Sequence, residues 1–395
     1  MREVDTRQLF RVFLLSLFLS SCESIPLPTV THTPSPSLSP DPTNTLTPTV
    51  TRTLTPTVCA RILSEDAGKV LAYIDRLTDD KEFDGVISGQ QCPHDKGICD
   101  DVSYQRAIGA LHDVSGKWVG ILALDYEFVR EYSPAELSAA NRRLIAHWQA
   151  GGLVAITWPP ANPWGSEPWQ AWKDIATQYP GTDLRELLPG GALRKRWVAS
   201  YDRIAAALAE LRDAGVVVLW RPMQEMNGSI YWWGKRPGNL EDPHVDYLEL
   251  WRDMFRYFTC EKQLNNLLWV FSPVGVHSWS SFPYPGDAYV DIVAGTAANN
   301  EDNIAAYNDY LAYGKPVGVA EYGPDYIGED SEANGSFDNR LYILRLRNDY
   351  PRIAYWVTPS SWTGVKMALV DNLFASELMN DPGVIDRDEI AWRLE

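Results

Sequence analysis

Residues 216–228 read Val216-Val217-Val218-Leu219-Trp220-Arg221-Pro222-Met223-Gln224-Glu225-Met226-Asn227-Gly228, and Tyr231-Trp232-Trp233-Gly234 follows at 231–234. An uninterrupted apolar run of this kind suits a strand covered on both faces, as in parallel sheets flanked by helices. Where the run stops, an acid, a cation, an amide and several aromatics crowd together, which is the composition of a site rather than of a core. Seven further short apolar runs lie outward from it, at 83–88, 118–124, 153–158, 267–271, 290–294, 317–320 and 353–357. Between them, residues 64–77, 134–150, 196–214, 247–258 and 303–313 have helical spacing. Ser133-Pro134-Ala135-Glu136 predicts a helix start, with Ser133 as cap, Pro134 in the first turn and Glu136 reaching back; Asp213-Ala214-Gly215 predicts an end. A chain that reads β then α eight times predicts a closed (β/α)8 TIM barrel over residues 59–395. An open doubly wound sheet is the alternative, and it would ordinarily carry a glycine-rich phosphate turn that this chain lacks.

In such a barrel the C-terminal strand ends carry the site. The seventh run, Lys315-Pro316-Val317-Gly318-Val319-Ala320-Glu321-Tyr322-Gly323, places a second carboxylate where an apolar strand stops. Two strand-end glutamates facing each other across a barrel can cleave a glycosidic bond. One protonates the leaving oxygen while the other attacks the anomeric carbon, given a separation of about 5 Å. The segment from Arg221 to Gly228 with Trp232-Trp233-Gly234 resembles the acid/base motif of glycoside hydrolase family 26, best known for endo-β-1,4-mannanases, and Ala320-Glu321-Tyr322-Gly323 is similar to its nucleophile motif. Weaker matches are Gly89-Gln90-Gln91, the stretch 151–158, Tyr284-Pro285-Gly286-Asp287, Val290-Asp291-Ile292-Val293 and Asn380-Asp381-Pro382.

The resemblance implies Glu225 as general acid/base and Glu321 as nucleophile of a retaining double displacement; no cofactor is expected, and no metal, since no Cys-x-x-Cys is present and the six His are scattered. Burial and a neighbouring negative charge should raise the pKa of Glu225, while Arg221 keeps Glu321 ionised. Substrate contacts are expected from Arg221, Gln224, Asn227, Tyr231, Trp232, Trp233 and Gln90, and from Trp158 and Trp164 on the loop after the third run, because sugar rings present apolar faces to indoles. Trp356 and Trp362 both lie near the eighth strand end, where related barrels place a Trp beneath the sugar. Asp125 ends the second run and suits either a loop tie or a sugar hydroxyl; His94, His147, His244 and His277 suit structural or solvated roles. Three departures from the family pattern stand out. Gln224 replaces a His before the acid/base, Ile230 replaces an aromatic with Tyr231 beside it, and Gly295-Thr296-Ala297-Ala298 lacks the Tyr that orients the nucleophile.

Composition narrows the class. The 395 residues carry 52 Asp and Glu against 35 Lys and Arg, a net charge of −17 that argues against nucleic acid as partner. A hydrophobic fraction of 45% describes a globular chain, and 16 Trp exceed what one core normally needs. Arg2, Arg7 and Arg11, the apolar run 12–19 and Leu19-Ser20-Ser21-Cys22 predict an export signal over residues 1–22. Its end resembles a bacterial lipobox, which implies lipid on Cys22 and a membrane-tethered exported protein. Residues 23–58 are rich in Thr, Pro and Ser and predict an extended, disordered linker. Of the remaining cysteines, Cys92 and Cys99 enclose a short loop and form the first expected disulfide, with Cys59 and Cys260 left as the second. The reading is a monomeric, exported endo-β-glycanase acting on plant-type or microbial β-mannan. A β-1,3/1,4-glucan or β-xylan substrate, or a non-catalytic surface glycan-binding lipoprotein, are the alternatives.

Overall fold

The computed structural model describes residues 61–79, 85–94, 97–128, 130–165, 183–228, 230–234, 244–274, 284–297, 304–326 and 331–394. The export signal with Cys22, the linker and Cys59 lie outside these. Strands β1 (Val86–Ile87), β2 (Gly89–Gln91), β3 (Ile121–Asp125), β4 (Leu153–Trp158), β5 (Val218–Pro222), β6 (Leu267–Phe271), β7 (Ile292–Thr296), β8 (Val317–Glu321) and β9 (Val384–Ile385) alternate with helices α1 (Glu65–Asp79), α2 (Ala110–Ser115), α3 (Pro134–Gln149), α4 (Arg194–Asp213), α5 (His244–Arg256), α6 (Tyr307–Ala312), α7 (Arg340–Asn348) and α8 (Ala375–Met379). Strands β2 to β8 form one sheet in sequence order, and every pairing in it is parallel. Successive parallel neighbours joined by helices leave both sheet faces covered, so the strands can be apolar throughout. All five residues of β3, β5, β6 and β7 are buried.

The run 353–357 closes the ring. The backbone N–H groups of Ala354 and Val357 donate to Val317 and Val319 of β8, while those of Trp356 and Thr358 donate to Ile87 and Gly89 of the first strands. Gly89 is required here, since a Cβ at that position would lie 2.4 Å from the carbonyl oxygen of Trp356. The segment pairs through isolated bridges rather than a continuous strand. Two further details differ from the sequence reading. The first run splits at Ser88 into β1 and β2, and β1 pairs in parallel with β9, a C-terminal strand too short to stand out in the sequence.

The expected helix start at Ser133 is present as a reciprocal capping box, in which Ser133 Oγ accepts from Glu136 N and Glu136 accepts from Ser133 N. Such a cap is worth about 1 kcal/mol. Gly215 ends α4 with φ of +73°, as Asp213-Ala214-Gly215 predicted. Helix α5 runs on into a π-turn at Tyr257–Glu261, which carries Cys260. Cys92 and Cys99 form a disulfide, and Cys260 is disulfide-bonded as well.

Candidate active site

Glu225 lies three residues beyond β5 and Glu321 ends β8, and the Arg221 cation acts on both. Arg221, in β5 and 4% exposed, donates from Nη1 to Glu321 Oε1 at 2.5 Å, from Nε to Ser272 Oγ at 2.7 Å and from Nη2 to Thr296 Oγ1 at 2.8 Å. Thr296 is in turn among the groups that lower the pKa of Glu225. The result is a polar chain from Glu321 through Arg221 to Thr296, with Glu225 in the field of Arg221 and Glu321. A small cavity of about 20 Å³ beside this cluster is lined by Gln91, Thr157, Arg221, Glu321, Tyr355 and Pro359, among others.

Local backbone holds the acid in place. Met223 and Glu225 have φ of +46° and +56°, a region that L side chains avoid at a cost of about 1–3 kcal/mol each. Surrounding hydrogen bonds stabilise the turn: Met223 N donates to Trp158 O, Glu225 N to Ser272 O and Trp233 Nε1 to Gln224 O. Asn227 clamps the neighbouring loop by donating to Val274 O and accepting from Val274 N, both at 2.9 Å. Left-handed backbone at a strand end aims the glutamate away from the direction an extended strand would give it.

Charges are set by burial and proximity. The pKa of Glu225 is pushed up to about 7, first by burial and then by the charge of Glu321, against the opposing pull of Arg221 and the Thr296 hydrogen bond. Asp125, at the end of β3, is a third carboxyl group in the same field. Its pKa is also raised to about 7 by burial and then by Glu321, while Arg221 and hydrogen bonds with Gln91 and Thr157 lower it. Asp125 stands beside the ring of His94, with Oδ2 3.7 Å from Nδ1. The strand-end criterion that singles out Glu225 and Glu321 applies equally to Asp125; Thr157, Ser272 and Thr296 carry no comparable signal in the sequence.

The structure places several of the expected substrate-contact residues within the packed interior. Trp158 is fully buried, donates to Glu127 Oε2 and stacks on Trp197 and Trp220. Trp232 and Trp233 are buried, with their indole N–H groups spent on the carbonyls of Pro160 and Gln224. Trp356 is buried against Tyr342 and donates to Thr358 Oγ1. All four rings are at most 2% exposed. Asn227 is likewise a loop clamp. Tyr231 is buried and stacks on Trp233 with its hydroxyl accepting from Gln224 Nε2 at 3.2 Å, whereas Gln224 Oε1 is buried without a hydrogen-bond partner among the described residues. Trp164 is half-buried and donates to Glu186. Trp362 is 45% exposed and packs edge-on against Tyr326. Of the Trp pair near the eighth strand end, Trp362 alone presents open surface. His147 is buried with a ring nitrogen 3.2 Å from Gly120 O, a structural role; the side chain of His244 and all of His277 lie outside the described residues.

Gln90 braces the closing segment. Fully buried, it donates to the carbonyls of Thr358 and Pro359 and accepts from Leu369 N, tying the closing segment to β2. Gln90→Leu strands these buried groups and is expected to remove roughly 2–4 kcal/mol of stability. Urea unfolding checks this, and an unchanged midpoint would show that the ties are dispensable.

A closed parallel barrel with paired strand-end glutamates sharing a buried arginine is the architecture of a glycoside hydrolase. The family model described as glycosyl hydrolase family 26 matches residues 62–389, and the chain belongs to that family. A mannan endo-1,4-beta-mannosidase A and B of Caldalkalibacillus mannanilyticus is 37% identical over 289 residues, covering 71% of this chain; the chain spans only 54% of that relative's length. A mannan endo-1,4-beta-mannosidase of Bacillus subtilis strain 168 is 30% identical over 332 residues, covering 81% of this chain and 84% of the relative. The structure of Bacillus subtilis mannanase man26 superposes with a TM-score of 0.71 at 26% identity, covering 83% of this chain and 94% of the other.

Proposed function

We propose that the protein is a retaining endo-β-1,4-mannanase, and the observation that carries this reading is the pairing of Glu225 and Glu321 through Arg221 at one barrel mouth. The mannanase names of its relatives support the substrate. In the first step Glu225 gives its proton to the glycosidic oxygen while Glu321 attacks the anomeric carbon, which breaks the C–O bond and leaves a glycosyl ester on Glu321. Ester formation removes the negative charge that raises the pKa of Glu225. Glu225, now ionised, takes a proton from water, whose oxygen displaces Glu321 and releases the sugar with its β-configuration retained. A raised acid beside an arginine-bound carboxylate supplies a proton donor and a nucleophile.

Residues 1–22 are proposed to export the chain and Cys22 to carry lipid, with 23–58 as spacer between the membrane and a monomeric catalytic domain. Reducing-sugar release from mannan, glucomannan, lichenan and xylan tests the substrate. The expected result is preferred cleavage of mannan, with the β-anomer appearing first by proton NMR. Preferred cleavage of lichenan or xylan would overturn the mannan reading, and early α-anomer would overturn retention.

A further inference from the structure

Ser272 lies one residue beyond β6 and is 1% exposed. Its two polar groups hold the two halves of the site separately. The hydroxyl Oγ accepts from Arg221 Nε at 2.7 Å, and the backbone carbonyl accepts from Glu225 N at 2.7 Å. Arg221 in turn donates from Nη1 to Glu321. A guanidinium is planar and its N–H groups have fixed directions, so anchoring two of its nitrogens decides where the third points. Ser272 anchors Nε and Thr296 anchors Nη2, the latter at 2.8 Å, which leaves Nη1 turned to the nucleophile. Both anchoring oxygens belong to neutral hydroxyls, so they orient the cation without neutralising the charge that Glu321 receives. The backbone that carries Ser272 is held independently of its side chain: Asn227 donates to Val274 O and accepts from Val274 N, and Pro273 O accepts from Thr296 N at 3.1 Å.

We propose that Ser272 is a positioning residue of the reaction, its hydroxyl aiming Arg221 at Glu321 and its carbonyl seating Glu225, so that one residue sets the spacing of nucleophile and acid/base. This rests on the glutamate pair assigned above. Spacing matters because attack on the anomeric carbon and protonation of the leaving oxygen belong to one step, with the carboxyl groups about 5 Å apart. A displacement of about 1 Å in such a site can lower the rate on the order of a hundredfold. The carbonyl arm holds a backbone with φ of +56° at Glu225, a conformation that persists only where the surroundings fix it. The hydroxyl arm matters in both steps. In the first it presents Nη1 to the attacking carboxylate. In the glycosyl-enzyme Glu321 is a neutral ester and attracts the guanidinium less, while Glu225 is ionised. The neutral anchors at Ser272 and Thr296 then keep Arg221 in place for the second displacement.

The test compares wild type with S272A, which removes the hydroxyl arm and keeps the carbonyl arm, and with S272C, nearly the same shape but a weak acceptor, should S272A lose a cooperative melt. With an aryl β-mannobioside whose leaving group needs no proton, a single turnover under excess enzyme reports attack by Glu321. Its rate of phenol release is expected to fall about tenfold to a hundredfold in S272A, the range for losing a hydrogen bond to a charged group. KM for mannan stays within about twofold, the pattern of an interaction that serves the transition state rather than ground-state binding. An Arg221→Lys background separates positioning through the arginine from a packing role. Lysine has no guanidinium plane for Ser272 to orient, so adding S272A there is expected to change the single-turnover rate by less than about twofold. A wild-type rate in S272A, or a loss in the lysine background as large as in the arginine one, overturns the proposal. Failure of the underlying assignment reads differently: Glu225→Ala or Glu321→Ala would then retain mannan turnover.

Discussion

Glu321→Ala is expected to lower mannan turnover by about 10⁴- to 10⁶-fold while the domain still melts cooperatively. The carboxylate is the sole protein group in the proposed cycle that bonds carbon, so its loss removes the covalent step. Its recorded hydrogen bond is to Arg221, which keeps Ser272 and Thr296 as acceptors when Glu321 is gone. The vacated space beside Arg221 suits a small anion. Azide or formate should therefore restore turnover of an activated aryl glycoside by attacking from the side Glu321 occupied, yielding a product of inverted configuration. Full activity in the variant would remove Glu321 from the chemistry.

Glu225→Gln is expected to lower kcat/KM on mannan by about 10²- to 10⁴-fold, the range for loss of a general acid. The pH dependence carries the sharper signature. Glu225 acts first as an acid, so its proton must be present in the free enzyme. As pH rises through its value of about 7 the proton is lost and kcat/KM falls. Glutamine does not titrate, so the variant loses this upper limb. An activated aryl substrate needs no proton in the first step, and the variant should release its phenol in a burst and then stall as glycosyl-enzyme. Asp125 also has its pKa raised to about 7 and shares Arg221 and Glu321 as neighbours, so interacting groups shape the observed profile together. Asp125→Asn separates the two: it is expected to keep the limb, whereas a limb lost in Asp125→Asn and kept in Glu225→Gln would exchange their roles.

Much of the site was legible because local composition changes where a buried strand ends. The runs at 153–158, 267–271 and 317–320 stand within a residue of β4, β6 and β8, and the carboxylates Glu225 and Glu321 follow such runs. The closing segment 353–357 was also legible as an apolar run, although it forms bridges instead of a regular strand. The aromatic residues were not legible in the same way. Trp158, Trp232, Trp233 and Trp356 sit in sequence contexts that resemble that of Trp362, yet only Trp362 is exposed.

The order of elements, the strand ends and the two glutamates were determined by the sequence itself, since burial period, helix caps and strand termination are properties of neighbours along the chain. Tertiary structure decided which indoles are covered, that Gln90 and Asn227 brace loops, and that Thr296 meets Arg221. Those outcomes depend on a bulge at Ala320 and on contacts 47 to 279 residues apart in the chain, where the bonds of Asn227 to Val274 and of Gln90 to Leu369 mark the two ends of the range. No local pattern encodes which distant side chain will fill a given face.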